Sequence, residues 1–95
     1  MNLSSPSFTI FTPTYNRSQT LGRVYNSLLL QTNRDFVWLI IDDGSTDNTW
    51  EIISRWIKEN EIRIEYHYKR NGGKHTAMKL AYSLVKSKYL IAIDS

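Results

Sequence analysis

The chain has 95 residues, 41% hydrophobic and 22% charged, which suits one globular domain with a core and excludes both a disordered segment and a pair of domains. Lys and Arg number 12 against 9 Asp and Glu, a net charge of +3, and the cations are dispersed instead of forming a basic block, so nucleic acid is not an expected partner. Cysteine is absent, which removes disulfides, thiolate metal sites and a thiol nucleophile, and no stretch approaches the roughly 18 apolar residues of a membrane span.

"MNLSSPS" lacks the charged start and apolar core of a signal sequence, so the expected location is the cytoplasm, with peripheral attachment at the inner membrane face as an extension of it. "FTIFTPT" (Phe8 to Thr14) is short, rich in β-branched and aromatic residues and stopped by Pro13, and is the first predicted strand. Leu21, Val24, Tyr25, Leu28 and Leu29 then recur at helical spacing, with Ser18 placed as an N-cap. "FVWLIID" (Phe36 to Asp42) is a continuous apolar run, the pattern of a parallel strand covered on both faces.

After a turn, Ile53, Trp56 and Ile57, flanked by Trp50 and Ile52, predict a second helix from Thr49 to about Lys58, with Ser45 or Thr46 available to cap it. "IRIEYHY" (Ile62 to Tyr68) alternates apolar and polar residues, as an edge strand with one wet face does. Ala77, Leu80, Ala81, Leu84 and Val85 predict the third helix, and "YLIAID" (Tyr89 to Asp94) a fourth strand. Strand and helix alternate throughout. The implied class is α/β, a Rossmann-like three-layer α/β/α arrangement with a mainly parallel sheet and strand order 3-2-1-4.

In open sheets of this kind ligands bind beyond the carboxyl ends of the strands, where the strand order reverses. The polar motifs collect there: "PTYNR" follows strand one, "DDGS" strand two and "DS" strand four. With order 3-2-1-4 the reversal lies between strands one and four, bringing Tyr15 and Asp94 to opposite sides of a cleft with Asp43 beside them. No GxGxxG follows a strand, and "NGGKHT" lacks the first glycine and the hydroxyl directly after Lys that a P-loop needs. Carboxylates bind phosphate only through a divalent cation, but they accept N–H groups from a base while an aromatic ring stacks on it. A nucleotide diphosphate with Mg or Mn satisfies both uses.

"FTIFTPTYNR", "LLQTNRDFVWLIIDDGSTDNT", "NGGKHTAMKLA" and "YLIAIDS", in this order and spacing, resemble the nucleotide-binding half of family 2 glycosyltransferases with the GT-A fold, over nearly the whole chain from Phe8 to Ser95. The resemblance implies that Pro13 and Tyr15 line the base site, that Asp43 accepts the uracil imide N–H, that Lys74 lies over the nucleotide, and that Asp94 is the first acid of the D-x-D metal and ribose motif. It implies a nucleotide-sugar donor, a UDP-sugar above a thymidine one, a divalent metal, and a saccharide or lipid-linked acceptor. Asp42 is then expected to hydrogen-bond the loops that position Asp43.

Two departures accompany the match. Lys79 stands where family members often have Asn, and "IDS" ends before the second acid of D-x-D. The expectation is therefore a donor-binding portion, truncated at that motif, with half a metal site and the catalytic base beyond Ser95. Alone it would transfer no sugar, and its apolar fourth strand, at an open edge, would self-associate.

Other readings stand beside these. Asp42, Asp43 and Asp47 also suit caps of the second helix; Tyr15 suits a loop aromatic and Lys74 a solvated cation. His67 and His75 have no ligand-spaced partners, Trp38, Trp50 and Trp56 are read as core, and Arg17, Arg34 and Arg70 as surface charges. A non-catalytic nucleotide-binding module is the alternative function. A phosphoryl-accepting receiver domain would carry acids after strand one, where this chain has "TPTYN".

Overall fold

Parallel strands need crossovers, and this chain supplies a helix for each. In the computed structural model, which describes residues 6–95, the order is β1 (Phe8–Thr14), α1 (Ser18–Leu29), β2 (Phe36–Asp42), α2 (Thr49–Glu59), β3 (Ile64–Tyr68), α3 (Lys74–Leu84) and β4 (Tyr89–Ala92). All three strand pairings are parallel and the sheet order is β3-β2-β1-β4, as the alternation of elements predicts. Five of the seven residues read for a missing signal sequence, 1–5, lie outside the described part.

The period of two along β1 and β2 sorts their side chains onto two faces. Ile10, Phe36, Trp38 and Ile40 pack with Leu21, Val24, Tyr25 and Leu28 of α1 and Ile53 of α2. Phe11, Leu39 and Ile41 pack on the opposite face with Ala77 and Ala81 of α3. Three layers result, with β2 buried along its whole length. The helix α3 turns its two alanines to the sheet and leaves Leu80, Leu84 and Val85 partly buried, so its large apolar side chains flank the contact instead of forming it.

Trp38 is fully buried, and its indole N–H donates to Thr12 Oγ1 at 2.9 Å, the partner that a buried indole needs. Tyr25 stacks on Trp56 with ring centroids 4.2 Å apart and lies 6.3 Å from Trp38, forming one aromatic stack between sheet and helices. Burial, with the Glu59 carboxylate accepting from its hydroxyl, pushes the Tyr25 phenol up to about 12. Trp50 departs from the core assignment: it is 52% exposed and lies against Tyr66 with centroids 5.0 Å apart. Its place on the apolar stripe is beside β3, the edge strand of the described sheet.

Helix ends also differ from expectation. Ser18 is the first residue of α1 and Arg17 occupies the cap position, with no side-chain cap bond. At the other end Arg34, read as a surface charge, donates through Nη2 to Leu29 O at 2.9 Å, through Nε to Gln31 O at 2.9 Å and through Nη1 to Glu61 O at 2.6 Å. It satisfies carbonyls that the end of α1 leaves open and ties them to the loop before β3. Among the described residues β4 pairs only with β1 and is largely exposed, Tyr89 by 50% and Ile91 by 46%, so it is an open edge of the described sheet. Among the described residues no helix is long and apolar enough to cross a membrane.

Candidate functional site

The carboxyl ends of β1, β2 and β4 converge, and the loops that leave them enclose a cavity of 590 Å³. Pro13, Tyr15, Asp43, Lys74 and Asp94, the five residues singled out from the sequence, all line it, and they are joined by Arg17, Asn71 and Gly73. The cavity lies between β1 and β4, the reversal point, and its volume is that of an ordinary small-molecule site.

The adjacent carboxylates of "DDGS" face different partners. Asp42, fully buried at the end of β2, accepts from Tyr66 Oη at 2.6 Å and from the Ser45 N–H at 2.8 Å. Burial and this hydrogen bond to a carboxylate push the Tyr66 phenol far above its ordinary value, so it stays a donor. Asp42 thus braces β3 and the turn after β2, as the resemblance implies. Gly44 makes that turn at φ +91°, and a Cβ there would come within 2.9 Å of the Asn71 nitrogen, so the next loop closes tightly over it.

Asp43 is 6% exposed. Its Oδ1 accepts from Lys69 Nζ and from the Gly72 N–H at 3.0 Å, and its Oδ2 from the Gly73 N–H at 2.9 Å. Burial resists ionisation, but the Lys69 ammonium and the two backbone donors outweigh it and hold the carboxyl below its usual value. A carboxylate oxygen can accept two hydrogen bonds, so one acceptor position remains, on Oδ2. The cap position of α2 is Asn48, without a side-chain cap bond, and the turn into the helix is held by Asp47, which accepts from the Thr49 N–H at 3.1 Å and the Thr49 hydroxyl. Asp43 instead holds Gly72 and Gly73, the two residues that lead into α3.

Lys74, the first residue of α3, reaches across the cavity to Asp94, Nζ to Oδ1 2.9 Å, with both side chains well exposed. In water such a pair is worth at most about 1 kcal/mol, so a ligand can exchange it. Asp43 and Asp94 are each matched by a lysine, whereas Arg17 has no ion-pair partner among the described residues. The cavity therefore presents one uncompensated cation, the balance that suits an anion. Thr14, also on its wall, has a buried hydroxyl without a hydrogen-bond partner.

Arg17, read as a surface charge, lines the cavity, and two further contributors were not legible as site residues. Lys69 follows a strand as one of several dispersed cations, and only the fold brings it to Asp43. Asn16, at φ +51°, accepts through Oδ1 from the N–H groups of Thr46 at 2.8 Å and Asp47 at 3.2 Å, while its own N–H donates to Ser45 Oγ. It zips the loop after β1 to the loop after β2. The one sequence signal that could have found it is an asparagine between strand and helix, a residue type that tolerates positive φ. Asp47 Oδ2 adds the Ser18 N–H to this junction.

Among the described residues no group of three or more metal-ligating side chains gathers. Asp94 alone offers an exposed carboxylate to a cation, and magnesium is commonly held by one or two carboxylates together with substrate phosphates. Asp94 fits one ligand position of such an ion.

Known proteins resemble this chain in sequence and share its fold. A glycosyltransferase of Rickettsia conorii is 36% identical over 93 residues, 98% of this chain and 15% of its own length. The structure of Staphylococcus aureus TarS 1-349 in complex with UDP-GlcNAc matches with a TM-score of 0.84 and 25% identity, covering 93% of this chain and 26% of that one. The mannosyltransferase PcManGT of Pyrobaculum calidifontis, in complex with GDP-Man and Mn2+, has the same fold, with a TM-score of 0.82 and 21% identity over 97% of this chain and 28% of that one. The chain thus spans a small part of the relatives it matches. Residues 9–95 match the model of glycosyl transferase family 2, and with its parallel 3-2-1-4 sheet the chain belongs to that family.

Proposed function

We propose that this chain binds the nucleotide diphosphate of a sugar donor, most suitably a UDP-sugar, as part of an enzyme that transfers the sugar with inversion to an acceptor hydroxyl of a saccharide or lipid-linked molecule. The observation that carries this reading is the convergence of Pro13, Tyr15, Asp43, Lys74 and Asp94 on one cavity at the strand-order reversal. The UDP-GlcNAc held by TarS, which shares the fold, supports the choice of base.

Each side chain has a task its chemistry suits. Tyr15, 47% exposed at the rim, offers a ring face to the base. Asp43, ionised and with one acceptor position open, takes the imide N–H of uracil. Arg17 and Lys74 face the diphosphate, and Lys74 exchanges Asp94 for phosphoryl oxygens as the donor enters. Asp94, so released, binds ribose or serves as one ligand of a divalent cation, Mg or Mn, whose chemistry when bound is to neutralise the leaving diphosphate. Deprotonation of the acceptor is assigned to none of these residues.

Titration calorimetry with UDP and ADP tests the reading. UDP is expected to bind and ADP to bind more weakly, because adenine presents a bare ring nitrogen where uracil presents an N–H. Equal affinity for the two would remove the base-reading role.

A further inference from the structure

Resting on that donor reading, Lys69 calls for a role beyond a surface charge. It follows β3, yet its side chain is only 18% exposed and its ammonium meets Asp43 Oδ1, 26 residues away in sequence. The same Nζ donates to the Arg70 carbonyl at 2.7 Å, so the cation is anchored on both sides. The loop is shaped around it: a Cβ on Gly72 would come within 3.3 Å of Nζ and 3.0 Å of Thr76 Oγ1. With Oδ1 filled by Lys69 and Gly72, the open acceptor position belongs to Oδ2, and Asp43 is one of the residues that line the cavity.

We propose that Lys69 is a positioning residue that sets base specificity. It keeps Asp43 a charged, acceptor-only group with its free lone pair toward the ligand, so the site takes a base edge bearing N–H, as in uracil, over one bearing a bare ring nitrogen at the same place, as in cytosine. A neutral carboxyl would present a donor there and serve cytosine as well as uracil. The remaining charged groups near Asp43 are fewer in effect. Arg17, Lys74 and Asp94 line the cavity, Lys74 and Asp94 being paired to each other, while Asp42 is turned to Tyr66 and Ser45, and the His75 ring stands beside Gly73. None of them bonds to Asp43 as Lys69 does.

The test compares UDP and CDP binding by the 95-residue chain, unsubstituted and as Lys69→Met and Lys69→Arg. At pH 7.5 the preference for UDP over CDP is expected to fall roughly five- to tenfold in Lys69→Met, since charge-assisted hydrogen bonds are about twice as strong as neutral ones. Between pH 8 and pH 5 the UDP affinity of Lys69→Met is expected to drop progressively against that of the unsubstituted chain, as Asp43 without its cation takes up a proton. Lys69→Arg restores both properties. If Lys69→Met melts below the assay temperature, Lys69→Gln, which is uncharged but still donates, carries the comparison. Equal weakening of UDP and CDP with an unchanged pH profile would overturn the inference and leave Lys69 as a loop brace. Failure of the unsubstituted chain to bind UDP would overturn the donor reading itself, and this inference with it.

Discussion

Asp43 serves two ends with one carboxylate. It accepts the N–H groups of Gly72 and Gly73, the loop that leads into α3, and it keeps an acceptor position on the cavity. Asp43→Asn keeps the size but loses the charge and half of the acceptor capacity, so a cost to both binding and stability is expected. UDP affinity should fall by about 1–3 kcal/mol, the penalty for a lost acceptor with a donor left unpaired, while ADP affinity should change little. Calorimetry on both nucleotides, with a thermal melt of the same sample, separates the effects; a loss equal for UDP and ADP would assign Asp43 to structure alone. Its neighbour shows why adjacency in sequence misleads here: Asp42 and Asp43 point to opposite faces of the sheet, one toward β3 and one toward α3, so the like charges are drawn apart by their own donors. The pairing of carboxylates was legible in "DDGS"; apart from the Ser45 N–H, the donors that make it tolerable were not, because Tyr66, Lys69, Gly72 and Gly73 lie more than twenty residues away.

At the scale of elements, what the sequence announced was whatever local chemistry decides. β-branched runs, helical spacing and Pro13 placed the strands and helices within a few residues of where they lie. Positions decided by what packs on the far side of an element were missed. Trp50 occupies a helical stripe but faces the rim of the sheet, and Arg34 sits in a polar loop but spans three carbonyls. Arg34→Ala is therefore expected to lower the melting temperature by about 4–8 °C, equivalent to roughly 1 kcal/mol in a domain this size. Arg34→Lys should recover little, since an ammonium cannot reproduce a planar fork toward three acceptors. A melting temperature unchanged in both variants would show that the bridge between α1 and the β3 loop contributes nothing.

For the molecule as a whole, acid should act through the junction of loops at the cavity. Asp43 is held below its usual value by Lys69, Gly72 and Gly73 against the opposing effect of burial, and Asp47 by Thr49 and Ser18 in the same way. Both groups bind protons more weakly folded than unfolded. Their contribution is present above the unfolded value of about 3.9 and is lost as pH falls through the folded values. Stability followed by denaturant titration should thus be level from pH 7 to about 5 and decline below about 4; a decline already complete above pH 5 would assign the loss to groups other than these two carboxylates. The open edge of β4, with Tyr89 and Ile91 half exposed and no Pro or charged residue within the strand, offers unpaired backbone groups to a second chain. Sedimentation at rising concentration is expected to show self-association, and strictly monomeric behaviour would mean that this edge is shielded.

The central claim is that the cavity between β1 and β4 holds the nucleotide of a sugar donor. Amide chemical shifts of the isotopically labelled chain, followed by NMR as UDP is added, test it most directly. The expected result is saturable change at Tyr15, Asp43, Gly72, Gly73 and Lys74, with the uracil imide proton protected from exchange when Asp43 is intact and unprotected in Asp43→Asn. Shifts confined to the hollow on the other side of the molecule, between Pro6, Arg63 and Lys86, or no saturable shifts at all, would contradict it.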